Sequence, residues 1–191
     1  ATQFVQSGWD VKAMHRLIVT SNAYRQSSKV TPELLEKDPA NRLLARGSRY
    51  RLDSHAVRDN ALALSGLLVG TVGGPPVKPY QPPGYWASLN FPTREWQKDS
   101  GPAVYRRGMY THWQRSFPHP AMVAFDAPSR EECTCDRPKS NIPQQALVLL
   151  NDVTYIEAAR GLATRMMREG KERIAYGFRV VAGRSPKSEE T

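Results

Sequence analysis

The side chains best suited to chemistry gather in one stretch, FDAPSREECTCDRPKSNIPQQALVLLND, residues 125–152. It holds the only two cysteines of the chain, Cys133 and Cys135. Covalent attachment of a c-type haem needs C-x-x-C-H, two thiols spanning the vinyl groups and a histidine as axial ligand. The order here is Cys133-Thr134-Cys135-Asp136, one residue short and without the histidine, so this segment does not attach haem. With His112 and His119 as the other soft or borderline ligands, the spacing matches no standard zinc pattern. A nucleophilic thiolate needs a positive setting, yet Arg130, Arg137 and Lys139 are balanced by Glu131, Glu132 and Asp136. A bond between the two cysteines would close a small strained ring.

Asp126, Arg130, Arg137 and His112 remain as candidate site residues. In an enzyme, Asp126 would be the acid/base, Arg130 and Arg137 would hold an anionic group such as a sulfate ester or uronate, and His112 would assist. The plainer expectation is an ion-pair and capping network: Asp126 accepts from Arg130 or Arg137, and Asn141 caps the helix behind the loop. Asp126 with Glu131 or Glu132 could be nominated as a glycosidase pair, but nothing in the sequence sets their separation. No Gly-rich phosphate loop, nucleophile elbow or HExxH pattern is present. The rings of Tyr80, Tyr85, Trp86, Trp96, Tyr110 and Trp113 offer either a stacking platform for a sugar or core packing.

The elements that must position these groups read as helices. Asp10 is a good N-cap for a helix carrying Val11, Met14, Leu17, Ile18 and Ser21 on one face, entered by packing of Trp9. Thr31-Pro32 opens a short helix that Pro39 closes, and NRLLARG predicts a further helical turn or two. Asp53 starts a helix with a Leu52/Val57 staple and a stripe of Val57, Ala61, Leu64 and Leu68 reaching about Gly70. Residues 71–103 form a long irregular loop: seven of the fifteen prolines fall between Gly73 and Pro102, among Tyr80, Tyr85, Trp86, Phe91 and Trp96.

From Val104 to Ser116 the spacing of Tyr105, Met109 and Trp113 predicts a helix, with an extended strand as the alternative. Asn141 and Pro143 open a short buried helix, QQALVLLN. Asp152 caps the next helix, with Val153, Ile156, Ala159, Ala163 and Met166 inward and Gly170 as its stop. The last helix, KERIAYGFRVVAG, turns Ile174, Phe178 and Val181 inward and ends at Gly183. Almost nothing alternates with period two, so the fold class is mainly α: an irregular helical domain with a long Pro/aromatic-rich loop. One domain over residues 1–191 is the expectation from length, and both ends read as cut from a longer chain.

The net charge is +9, but it is spread. Lys and Arg against Asp and Glu number ten to six over residues 1–70, nine to six over 71–140, and eight to six over 141–191. Nucleic-acid binding, which shows a concentrated basic footprint, is disfavoured. No apolar run approaches the roughly 18 residues of a membrane span.

The segments SGWDVKAMHRLIVTSNAYRQSS, NRLLARG, KPYQPPGYW, YRRGMYTHWQR, FDAPSREECT and NIPQQALVLLNDVTYIEAARGLA closely resemble the planctomycete-type PSD domain, domain of unknown function 1553, in order and across nearly the whole chain. The family's loop is matched at Phe125 to Glu131 and Cys133, and its following block at Asn141, Pro143, Gln145, Ala146, Leu147, Asn151 and Asp152. Cys135 departs from a pattern that more commonly has one cysteine, and Ile142 stands where a small polar residue is usual. The resemblance implies a C-terminal module of large exported proteins, hence an extracytoplasmic place, beside companion domains and often a c-type cytochrome module upstream. It implies no haem in this segment, and an association with polysaccharide breakdown makes carbohydrate the expected ligand.

Overall fold

The computed structural model describes residues 1–87, 95–115 and 117–190. Phe91 of the aromatic loop and Ser116 lie outside the described residues. The fold is mainly α, and among the described residues β-structure is limited to isolated bridges. The chain divides into two compact units, Ala1–Arg51 and Leu52–Thr191.

The first unit holds α1 (Thr2–Gln6), α2 (Val11–Thr20) and α3 (Pro32–Lys37). Two of the expected caps are in place: the Asp10 carboxylate accepts from the Ala13 N–H at 2.9 Å, and the Thr31 hydroxyl from Leu34 N–H at 3.2 Å. Helix α2 stops at Thr20, because Ser21 turns extended and its hydroxyl donates back to the Ile18 carbonyl at 2.7 Å. Trp9 is exposed and meets Phe4 edge-on at 5.3 Å instead of burying at the helix entrance.

NRLLARG is not helical. Asn41 and Leu44 take positive φ, and the Asp38 carboxylate collects the N–H groups of Arg42 and Leu43 at 2.8 and 2.7 Å. Those bonds, Leu43 foremost, hold the Asp38 carboxyl below its ordinary range. The buried Arg46 then donates to the carbonyls of Leu34, Asp38 and Pro39, at the C-terminal end of α3. A local side-chain network replaces the helical turn that the leucines suggest.

The second unit is built on α4 (Ser54–Ser65) against α7 (Val153–Arg168), with α5 (Pro120–Val123), α6 (Pro143–Asn151) and α8 (Arg173–Ala182) around them. Asp53 caps α4 through Ala56 N–H at 2.8 Å, and Gly66 ends it in the left-handed conformation, short of Gly70. Helices α4 and α7 cross closely at Gly161, where a Cβ would lie 3.0 Å from the Ser65 Cβ. Leu62, Met122, Ala121, Phe125, Tyr155 and Ala158 are the buried apolar centre.

The buried face of α4 is Ser54, Arg58, Leu62 and Ser65, rotated from the expected stripe, whose Val57 and Ala61 sit at its edge. Helix α7 is rotated in the same way: Thr154, Tyr155 and Ala158 are buried, whereas Ile156 is exposed. In α8, Gly177 packs on Met166 of α7, while Ile174 and Val181 are exposed. Helix α6 corrects the sequence most clearly. It forms, but only Gln145 is buried, and Leu147, Leu149 and Leu150 are 58%, 46% and 72% exposed.

The stretch from Val104 is not an α-helix. It runs as two 3-10 turns, Pro102–Tyr105 and Gly108–Tyr110, with Arg106 between them bridging Val69, and Thr111 after them bridging Val77. Its backbone is claimed by α4 instead of by its own next turn. Arg58 donates to the carbonyls of Arg106 and Val104 at 2.6 and 2.7 Å, and Gly108 N–H donates to the Asp59 carboxylate at 2.6 Å. A Cβ at Gly108 would stand 3.2 Å from the His55 Cα, so the close approach favours glycine.

Candidate functional site

Residues 126–140 make a loop leaving α5 and returning to α6. Asp126 takes φ +59, a conformation an aspartate tolerates, and its carboxylate accepts from Ser140 twice, from the N–H and the hydroxyl, each at 2.7 Å. The Gln145 amide donates to the Ser140 carbonyl at 3.3 Å, linking this closure to α6. Helix α6 has no side-chain cap: Ile142 occupies the N-cap position and Asn141 is exposed. The anchoring expected of Asn141 is carried by Ser140, one residue earlier.

The loop then folds over the start of α4. Arg137 donates to Asp53, the cap of α4, at 3.0 Å, and Arg115 pairs with Glu131 at 3.1 Å. Arg130, at φ +64, lays its guanidinium over the Trp113 ring at 4.3 Å and donates to His55 Nε2 at 3.0 Å. Trp113 is itself held, its indole N–H donating to the Ser129 carbonyl at 3.0 Å.

A guanidinium has no acceptor, so His55 Nε2 must be the unprotonated nitrogen and Nδ1 carries the proton toward the Ser54 hydroxyl at 3.3 Å. Burial and the neighbouring Arg130 hold His55 below its ordinary pKa, against opposing pulls from Asp53 and Asp59. Burial and then the nearby Arg137 lower Arg130 as well. Beside His55, Asp53, Asp59 and Arg107 line an open depression of about 510 Å³.

The four nominated residues therefore occupy three settings. Arg130 and Arg137 come together around His55; Asp126 closes the base of the loop. His112 belongs to the aromatic group, 5.8 Å from the Trp96 ring, with its backbone N–H on the Val77 carbonyl at 2.7 Å. Burial, then Lys78, lowers its pKa. His55 and Trp113 complete the arginine cluster. In the sequence Trp113 reads only as an aromatic ring and His55 carries no signal, since a lone histidine one residue inside a helix has no pattern of its own.

The aromatic group is a second locus. Trp86 is buried, its indole donating to Gln81 at 2.7 Å, and stacks at a tilt on Trp96 (5.4 Å) and Phe117 (5.8 Å). Tyr85 meets Phe117 edge-on, and Lys78 lies 5.8 Å over Trp96. A cavity of about 490 Å³ opens beside Gln81, Tyr85, Trp86, Glu95 and Trp96. The rings of this loop thus serve as packing and also present edges to a cavity. Tyr110 has a structural role: it lies under Arg106 at 3.8 Å and accepts from Gly73 N–H at 2.8 Å.

Cys133 and Cys135 are exposed free thiols. Among the described residues no group of three or more His, Cys, Asp or Glu is placed to hold a metal ion, and no helix is long and apolar enough to cross a membrane. No curated protein and no solved structure matches the chain. A family model does: the one described as PSD1, protein of unknown function (DUF1553), matches residues 1–191, and the chain belongs to that family.

Proposed function

We propose that the chain is a carbohydrate-binding and scaffolding module of a longer exported protein, working beside companion domains that include a c-type cytochrome module. The observation that carries the binding reading over an enzymatic one is the position of Asp126. Both of its carboxylate oxygens accept from Ser140, so the residue nominated as acid/base is the clasp of the loop. His112, nominated to assist it, is placed against Trp96. Saccharide binding draws on the cavity beside Tyr85, Trp96 and Gln81, where flat rings and polar edges converge. The export and cytochrome clauses draw on the family resemblance alone.

Calorimetry of the purified chain against neutral and acidic polysaccharides tests the ligand. Binding that weakens about tenfold in Trp96→Ala supports the reading, whereas no heat with either class removes the carbohydrate clause. For the scaffold clause, Asp126→Ala should lower the unfolding midpoint. If Asp126→Ala kept full stability while abolishing turnover of an acidic saccharide, the enzyme reading would replace it.

A further inference from the structure

Four guanidinium groups crowd the face made by the start of α4, Trp113 and the 126–140 loop, and three of them have a carboxylate of their own. Arg137 pairs with Asp53 at 3.0 Å, Arg115 with Glu131 at 3.1 Å, and Arg107 with Asp59 at 3.2 Å. The fourth, Arg130, has none among the described residues. Its partners are an indole face and a neutral imidazole nitrogen.

We infer that Arg130 is the receptor for one singly charged oxyanion, a carboxylate or a sulfate half-ester, presented by the carbohydrate of the preceding proposal. The identity of the ligand rests on that proposal; the anion site itself does not. The guanidinium is held in advance, clamped between Trp113 and His55 on a backbone residue of positive φ. Little rotamer freedom is lost when an anion arrives. A planar fork with further N–H donors suits a two-oxygen anion better than a point charge does. The charge of Arg137 acts against that of Arg130, and an anion on Arg130 offsets it.

Two further features set the ligand class. One guanidinium of the four is without a carboxylate partner among the described residues, which matches a single carboxylate or sulfate and not a row of phosphates. The depression of about 510 Å³ beside His55, a different locus from the cavity beside Trp96, gives a further part of the same saccharide chain somewhere to lie.

The test uses the whole chain and two kinds of probe. Acetate and methyl sulfate, titrated while the side-chain NMR signals of His55 and Trp113 are followed, report the anion site. Trigalacturonate and its methyl ester report the sugar. The expected result is a saturable shift of both side chains that disappears in Arg130→Gln, with trigalacturonate binding roughly tenfold or more tighter than its ester. The ester comparison needs no variant and holds even if Arg130→Gln fails to fold.

Shifts that never saturate, or that persist unchanged in Arg130→Gln, overturn the inference. Equal affinity for acid and ester also overturns it while leaving the carbohydrate reading intact. Saturable acetate shifts with neither sugar bound leave the receptor standing and overturn its assignment to a carbohydrate.

Discussion

Two irregular stretches of the second unit, one made of residues 71–87 and 95–113 and the other the loop 126–140, are both organised by arginine, in opposite ways. In the first, Arg58 is buried in the middle of α4 and donates to the carbonyls of Arg106 and Val104. Arg106, buried in turn, gathers the carbonyls of Thr71, Gly73 and Pro75. Two guanidiniums thus supply the donors that a helix or sheet would otherwise provide. In the second stretch the arginines are exposed, and each ties one point of the loop to α4 or to a ring. Buried arginine gives the backbone one position, because an unpaired carbonyl or cation there is costly. Exposed arginine contributes little to stability and stays available to a ligand.

The largest expected effect tests the buried side of that contrast. Arg58→Met leaves the Val104 and Arg106 carbonyls unpaired, and should lower unfolding stability in urea by about 3 kcal/mol or more. A loss under about 1 kcal/mol would mean that the 104–110 backbone holds itself. Asp126→Ala comes next, at about 2 kcal/mol, for the loss of two charge-assisted bonds at a partly buried site. A double-mutant cycle with Ser140→Ala should show coupling between the two residues; additive losses would dissolve the clasp.

Acidification discriminates next. Burial lowers His119, His55 and His112 from their ordinary pKa of 6.5, and for His119 the Tyr80 carbonyl and Asp152 offset part of the effect. Each lowered histidine takes up its proton in the unfolded chain before the folded one. Their contribution is therefore complete above about pH 6.5 and is lost as pH falls through the folded values. His119 is the most buried, 3% exposed, with Nε2 on the Tyr80 carbonyl and Nδ1 buried without a hydrogen-bond partner among the described residues. His119→Gln should flatten the fall in unfolding midpoint between about pH 7 and 5 more than His112→Gln does.

The smallest effect belongs to the exposed loop. Arg137→Ala removes a pair whose two side chains are 49% and 47% exposed, so the loss should be about 0.5 kcal/mol and shrink in high salt. A loss as large as that of Arg58→Met, in the same urea titration, would erase the distinction between the two stretches.

Much of the helical framework was legible, since caps are local chemistry. Asp10, Thr31, Asp53 and Asp152 each bond the first turn that follows, as their positions imply. Helix phase was not legible, because the buried faces carry Arg58, Thr154, Gln145 and Ser65. Apolar stripes rotate such helices the wrong way, and they place the leucines of α6 in an interior those side chains do not reach. At the candidate site, Arg130 and Arg137 could be nominated from the loop, but His55 is 75 residues from Arg130 and only the fold joins them.

By itself the sequence determined the fold class, several helix starts, the failure of the cysteine pair as a haem or zinc motif, and the segment where polar chemistry would gather. These depend on neighbours a few residues apart, on spacing and on composition. The tertiary structure alone decided that Asp126 closes a loop on Ser140, that Arg58 holds a strand-like segment some fifty residues away, and that Arg130 rests on Trp113 beside a neutral His55. Those outcomes depend on which carbonyls and carboxylates remain unpaired once α4, α5 and α7 have packed, a condition no local window of residues contains.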